Sequence, residues 1–145
     1  MRCSKHHTMQ LTWHGHSTWH VRIKNTTFLI DPFFNNPKTS LTPSDIDPPD
    51  YVLLTHGHAD HIGDVGSFSN STIVATPELT SYISDDYGID STIAMNIGGT
   101  IQVGSGYVTM QRADHTNGYS NKYSAGGDMP AGYLVSDAPP REAAK

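Results

Sequence analysis

Cysteine is almost absent. Cys3 stands alone, so no internal disulfide can form and a disulfide-stapled scaffold is excluded. Long apolar runs are missing too: no stretch reaches the roughly 18 consecutive apolar residues that a transmembrane helix needs, and no membrane partner is expected. Positive charge is thin. Nine Lys and Arg face fourteen Asp and Glu, the formal net charge is −5, and no basic run occurs, so nucleic acid is not an expected partner. The start, Met1 to His7, is basic but runs into Thr8 and Gln10 without an apolar core. It does not read as a secretory signal, and a cytoplasmic location is the default expectation. What the chain does have is histidine: nine in all, three of them within six residues.

At 145 residues the chain has the size of one domain. Apolar residues make up 36%, about 45% once the thirteen glycines are counted, which is an ordinary globular share. Residues 1–8 read as a flexible arm, 9–136 as the domain and 137–145 as a tail. Short β-branched and aromatic runs predict strands over Met9 to Trp13, Thr18 to Ile23 and Thr26 to Ile30 with hairpin connections. Asp31-Pro32 halts the third, and the proline-rich stretch from Asn35 to Asp50 reads as a loop. Tyr51 to Thr55 has the continuous apolar character of a buried strand.

Beyond it the pattern predicts a short helix over Asp60 to Phe68, a strand over Thr72 to Ala75, and a helix over Pro77 to Ser84 with Thr76 as N-cap. Gly98-Gly99 opens a second β region, Thr100 to Val103 and Tyr107 to Arg112, joined at Gly104-Ser105-Gly106. A polar loop from Thr116 to Pro130 leads to a last strand, Ala131 to Val135. The class is mixed α/β (α+β), a mixed β-sheet with flanking helices.

The chemistry concentrates in Thr55-His56-Gly57-His58-Ala59-Asp60-His61, directly after the buried strand. A divalent ion needs neutral imidazoles and carboxylates converging on one point. The small residues Gly57 and Ala59 alternate with those side chains and leave the backbone free to fold tightly around an ion, for which zinc is the first expectation.

This segment resembles the His-x-His-x-Asp-His signature of the metallo-β-lactamase superfamily, and all four ligand positions match. Trp13-His14-Gly15-His16-Ser17, Leu29 to Phe33, Met95 to Gly99 and Ala131-Gly132-Tyr133 look like the branch of metal-dependent hydrolases related to L-ascorbate-6-phosphate lactonase. The resemblance runs from about Gln10 to Val135. It implies an αββα sandwich, of which this chain would be mainly the N-terminal half. It also implies one or two metal ions, zinc with manganese or iron as alternatives. His56, His58 and His115 would hold one ion, and Asp60 and His61 would face the other. Water activated by the metal would attack a small-molecule ester, lactone or phosphodiester, with Asp60 orienting it or taking its proton.

Each ligand histidine needs an acceptor for its other ring nitrogen, and Asp31 at a neighbouring strand end is the best candidate; a plain turn before Pro32 is the alternative reading. His16 in the Gly-His-Ser turn reads either as facing substrate or metal pocket, or as a structural turn residue. His14 and His20 read as exposed or locally satisfied, and His6, His7 and Cys3 as residues of the arm. Tyr119, Lys122, Tyr123 and Asp128 are expected to border the pocket.

The superfamily also supplies a bridging aspartate after a later strand and a further histidine near its C-terminus. After Val135 the sequence offers only Asp137, one strand too early. The second site would then keep only Asp60 and His61. A half-sandwich would leave one sheet face bare and call for a second copy or a complementing second-half chain. Two functions follow: a metal-dependent hydrolase, or a non-catalytic metal-binding half-domain completed by a partner.

Overall fold

Strand alternation dictates the layering. In a computed structural model that describes residues 9–119 and 129–143, nine strands form two sheets. The first has six strands in the order β1 (Met9–Trp13), β2 (Trp19–Ile23), β3 (Thr26–Ile30), β4 (Tyr51–Leu53), β5 (Thr72–Ala75) and β6 (Thr92–Ala94). β1 to β3 are antiparallel neighbours, whereas β3 to β6 run parallel. The second sheet is the antiparallel set β7 (Thr100–Val103), β8 (Gly106–Arg112) and β9 (Ala131–Ser136).

Because successive side chains point to opposite faces, Leu29, Val52, Leu54, Ile73 and Ala75 share one core with helix α2 (Pro77–Tyr87), through Leu79 and Ile83. Phe28, Leu53 and Val74 point the other way and meet Val108, Met110 and Ala131 of the second sheet. The layers among the described residues are therefore helix, sheet, sheet. The Tyr133 hydroxyl pins the two sheets by donating to the Leu54 carbonyl at 2.8 Å. Edge strand β1 is exposed along its whole length, Met9, Leu11 and Trp13 included, with Trp19 beside Trp13 on β2.

The expected helix over Asp60 to Phe68 is instead two pieces, α1 (Ala59–Ile62) and a 3₁₀ turn at Val65–Phe68. Between them Asp64 bends the chain: its N–H donates to the Pro32 carbonyl at 2.8 Å and its carboxylate accepts the Phe34 N–H at 2.7 Å. Helix α2 continues three residues past Ser84 and stops at Gly88, whose φ of 66° is a left-handed C-cap. β6 is a strand that the sequence pattern did not reveal, and a short helix α3 (Pro140–Ala143) lies within the expected tail.

Three turns meet at one edge of the first sheet. β3 and β4 are parallel, so Asp31 and Thr55 leave the sheet side by side; β1 runs parallel to β3 by way of β2, so the β1–β2 turn lies at that edge too. This is the carboxyl edge of the parallel strands, the usual place for a site in such sheets. The turn is tight at Gly15, with φ 93°, where a Cβ would run into the Asn36 side chain. Gly15→Ala is expected to destabilise the chain by about 1–3 kcal/mol, a drop readable as a lower urea midpoint.

Candidate metal centre

Three histidines converge where β4 ends. The ligand atoms of His56, His58 and His115 lie within 4.8 Å of one another, although His115 comes from the loop between β8 and β9 on the other sheet. His56 Nε2 and His58 Nδ1 face each other at 3.0 Å. The His115 ring stands edge-on to both, with centroids 4.8 Å from His56 and 5.3 Å from His58. The backbone explains the close approach. Gly57 packs against Gly118 and Tyr119, where a Cβ would come within 2.9 Å of the Gly118 carbonyl oxygen. The Gly57 N–H also donates to Asn117 Oδ1 at 3.0 Å, which fastens the His115 loop to the motif.

Asp31 organises the same edge from beneath. It is 1% exposed, and it accepts the Thr55 N–H at 2.8 Å, the Thr55 hydroxyl at 2.7 Å and His61 Nδ1–H at 2.8 Å. Thr55 in turn places its hydroxyl 2.9 Å from His56 Nδ1. A threonine hydroxyl already donating to Asp31 must accept here, so His56 carries its proton on Nδ1 and presents a bare Nε2 to the cluster. His61 likewise turns Nε2 outward. One buried carboxylate thus presets two ring orientations, the arrangement that ligand histidines require. This donor set fits a divalent ion.

The electrostatics agree. Burial, with His61, His58 and His115 close by, lowers His56 to about 4, so it is neutral and ready to ligate at pH 7. Burial also acts against the charged form of His61, but the hydrogen bond and charge of Asp31, with Asp60 adding to them, outweigh it and raise its pKa. Asp60 is held below the usual carboxylate range: burial works to raise it, and its own backbone N–H, His61, His16 and His58 prevail.

His14 and His20 depart from expectation. His14 is buried, and both Nε2 atoms are enclosed without a protein hydrogen-bond partner among the described residues. The Phe34 and His20 rings pack against His14, with centroids 5.4 and 6.0 Å from it. Burial lowers the pKa of both rings. Unfolded histidines near 6.5 bind protons that His14, His20 and His56 refuse when folded, so stability rises with pH in that window. Among the described histidines His61 alone opposes them. The metal-free chain is therefore expected to lose stability as pH falls from about 6.5 toward 4, seen as a falling urea midpoint across that range.

Other expected residues sort as follows. His16 comes to the edge with Asp60, its Nε2 3.2 Å from Asp60 Oδ2. Tyr119 does not border the cleft: it is buried in the core, stacked on Tyr82, and its hydroxyl donates to Asp86 at 2.8 Å. Lys122, Tyr123 and Asp128, like His6, His7 and Cys3, lie outside the described residues. Asp137 follows the far end of β9, whose first residue touches the site through its N–H bond to the Thr55 carbonyl at 2.9 Å. Six strand residues put it about 20 Å from the histidines, too far to bridge ions there. Thr55 and Asn117 are contributors that the sequence reading missed. His16, His56, His61 and His115 line a cleft of about 540 Å³ whose other walls include Trp19, Ile30, Ala113 and Pro130.

Residues 11–80 match the family profile described as metallo-beta-lactamase superfamily. A UPF0173 metal-dependent hydrolase of Haloquadratum walsbyi is 57% identical over 136 residues, covering 94% of this chain and 57% of that protein. One of Halorubrum lacusprofundi is 53% identical over 92% of this chain and 55% of that protein. The chain thus spans a little over half the length of the curated relatives it matches. Among solved structures, Igni18, a metallo hydrolase from Ignicoccus hospitalis, superposes with a TM-score of 0.76 at 26% identity, covering 90% of this chain and 57% of that one. Among the described residues no helix is long and apolar enough to cross a membrane.

Proposed function

We propose that this chain, similar over residues 11–80 to the metallo-β-lactamase superfamily, is a member of it and carries the metal centre of a hydrolase acting on an ester bond, with His56, His58 and His115 as ligands of a zinc ion. The observation that carries this reading is the convergence of the three rings, one of them with its tautomer preset through Thr55 and Asp31. Three imidazoles with no thiolate among the donors suit zinc best; manganese and iron are the other ions this set accepts.

When bound, the ion supplies a Lewis acid that acidifies water and polarises a carbonyl or phosphoryl oxygen. The protein's own part is positional. Asp60, whose side chain is half exposed beside His16 and held in its charged form, orients an attacking water and accepts its proton. Trp19, Ile30, Ala113 and Pro130 shield the opposite wall and favour a substrate with an apolar portion beside the scissile bond. The likeness of the Trp13 to Ser17 turn to the ascorbate-phosphate lactonase branch ranks lactones and carboxylic esters above phosphodiesters.

The test is a panel of lactones, carboxylic esters and phosphodiesters offered to the zinc-loaded chain, with chelator and His58→Ala controls. Hydrolysis that both controls abolish supports the reading. Turnover that survives His58→Ala, or none of any ester class by a fully loaded chain, counts against it.

A further inference from the structure

The superfamily signature places Asp60 and His61 toward a second ion, and from the sequence these two ligands stand alone. The fold adds a third. His16, Asp60 and His61 each offer a ligand atom, and these atoms lie within 4.8 Å of one another. We propose that His16 completes a second divalent-cation site with Asp60 and His61, so that this chain holds two ions from its own residues.

Several features of the turn support ligation over an incidental surface contact. His16 has φ 46°, a left-handed conformation uncommon for a residue with a side chain. The turn around it is tied down on every side. Thr18, fully buried, donates its hydroxyl to the Asp31 carbonyl at 2.7 Å and accepts the Phe33 N–H at 3.0 Å. Asn36 Nδ2 donates to the Phe33 carbonyl at 2.6 Å and reaches the His14 carbonyl at 3.3 Å, and Trp13 Nε1 donates to the His16 carbonyl at 3.0 Å. Strain maintained by this many bonds is of the kind found where a side chain must be aimed.

The aim is toward the second cluster. His16 stands edge-on to His61 with ring centroids 5.1 Å apart, and its Nε2 is 3.2 Å from Asp60 Oδ2. His61 gives Nδ1 to Asp31, which leaves Nε2 as its only possible ligand atom. Two imidazoles and one carboxylate with open positions form a set that binds zinc, manganese or ferrous iron. This cluster adjoins the first, since the His56 and His61 rings lie 4.0 Å apart, so both ions would face one cleft. Asp31 then serves both: it sets His61 directly and His56 through Thr55.

The proposal rests on reading the cleft as a metal centre, and the experiment separates the two claims. Metal-free chain is titrated with zinc, and bound metal per chain is read by equilibrium dialysis with elemental analysis. The wild type is expected to bind two ions. His16→Asn, a residue that tolerates the left-handed backbone, is expected to bind one, with the second class weakened at least about tenfold. His58→Ala is expected to lose the other class and keep the one that depends on His16. If His16→Asn folds poorly by circular dichroism, Asp60→Asn, with a half-exposed side chain, replaces it. Two ions retained by the His16 and Asp60 variants overturn the proposal, as does a wild type whose single ion is lost in His58→Ala and kept in His16→Asn; in both cases the first centre stands. A folded wild type that binds no ion overturns both readings.

Discussion

His58→Ala is expected to weaken binding at the first centre by at least about 100-fold, the upper end of what losing even an outer partner of a ligand costs. The reason is geometric. His58 Nδ1 faces His56 Nε2 at 3.0 Å, and His115 closes the triangle from a loop on the other sheet. Removing it leaves two imidazoles, which do not enclose an ion. His58 also serves as N-cap of α1, but through its backbone: the His61 and Ile62 N–H groups donate to its carbonyl at 3.0 and 3.1 Å, and these bonds survive the substitution. Its side chain makes no cap bond. Metal affinity should therefore fall far more than stability of the metal-free chain, which is expected to change by less than about 1 kcal/mol. Isothermal titration with zinc and urea denaturation of the metal-free variant read the two quantities separately. An unfolding midpoint that collapses with the affinity would show that His58 matters to folding and not to ligation.

Asp31→Asn is expected to destabilise the metal-free chain by about 3 kcal/mol and to weaken metal binding by about 10- to 100-fold. Asparagine has the same shape but replaces one acceptor by a donor. Oδ1 accepts one N–H, and Oδ2 accepts both the Thr55 hydroxyl and His61 Nδ1–H, so either amide orientation sets donor against donor in a buried place. Both ligand rings lose their orientation together. A second readout distinguishes this from general damage. The partner that raises His61 would be gone, so the imidazole should titrate lower than in the wild type by NMR in the metal-free state. Thr55→Val cuts only the branch to His56 and leaves the His61 bond in place, so it should shift His61 much less.

The candidate ligands were legible in the sequence to the degree that they are contiguous. Four of them occupy six positions after a strand, and a strand ending in a short helix has few ways to point them apart. Asp31 was legible for a related reason, as an acid at a neighbouring strand end. His16 remained ambiguous because its place depends on β1 lying parallel to β3, a relation set by two antiparallel pairings and not by any local signal. The same limit hid Tyr119. A polar, glycine-rich loop reads as surface, whereas its tyrosine reaches 33 residues back to Asp86 and stacks on Tyr82. His14 lies just past the end of β1 and read as exposed or locally satisfied, whereas Phe34 and His20, distant in sequence or on the next strand, pack against its ring.

Secondary structure followed the same division. Strands with apolar runs or tight turns were plain, including the β7–β8 hairpin, where Val103 pairs with Gly106 across two residues. β6 is three residues long with no buried side chain, so it has no hydrophobic signature and forms because β5 offers it a parallel edge. The broken helix after His61 had the apolar spacing of a continuous one, but side-chain and backbone bonds to Asp64 from a distant loop won over propensity. That the strands divide into two stacked sheets is likewise a long-range outcome, fixed by which face of each strand is apolar.

The most direct measurement is the metal content of the purified chain, saturated with zinc, dialysed and assayed by elemental analysis after circular dichroism has verified its fold. At least one zinc retained per chain is the expected result, as three converging imidazoles with an open position require. A folded chain that emerges from dialysis without metal would contradict the reading of this cleft as a metal centre.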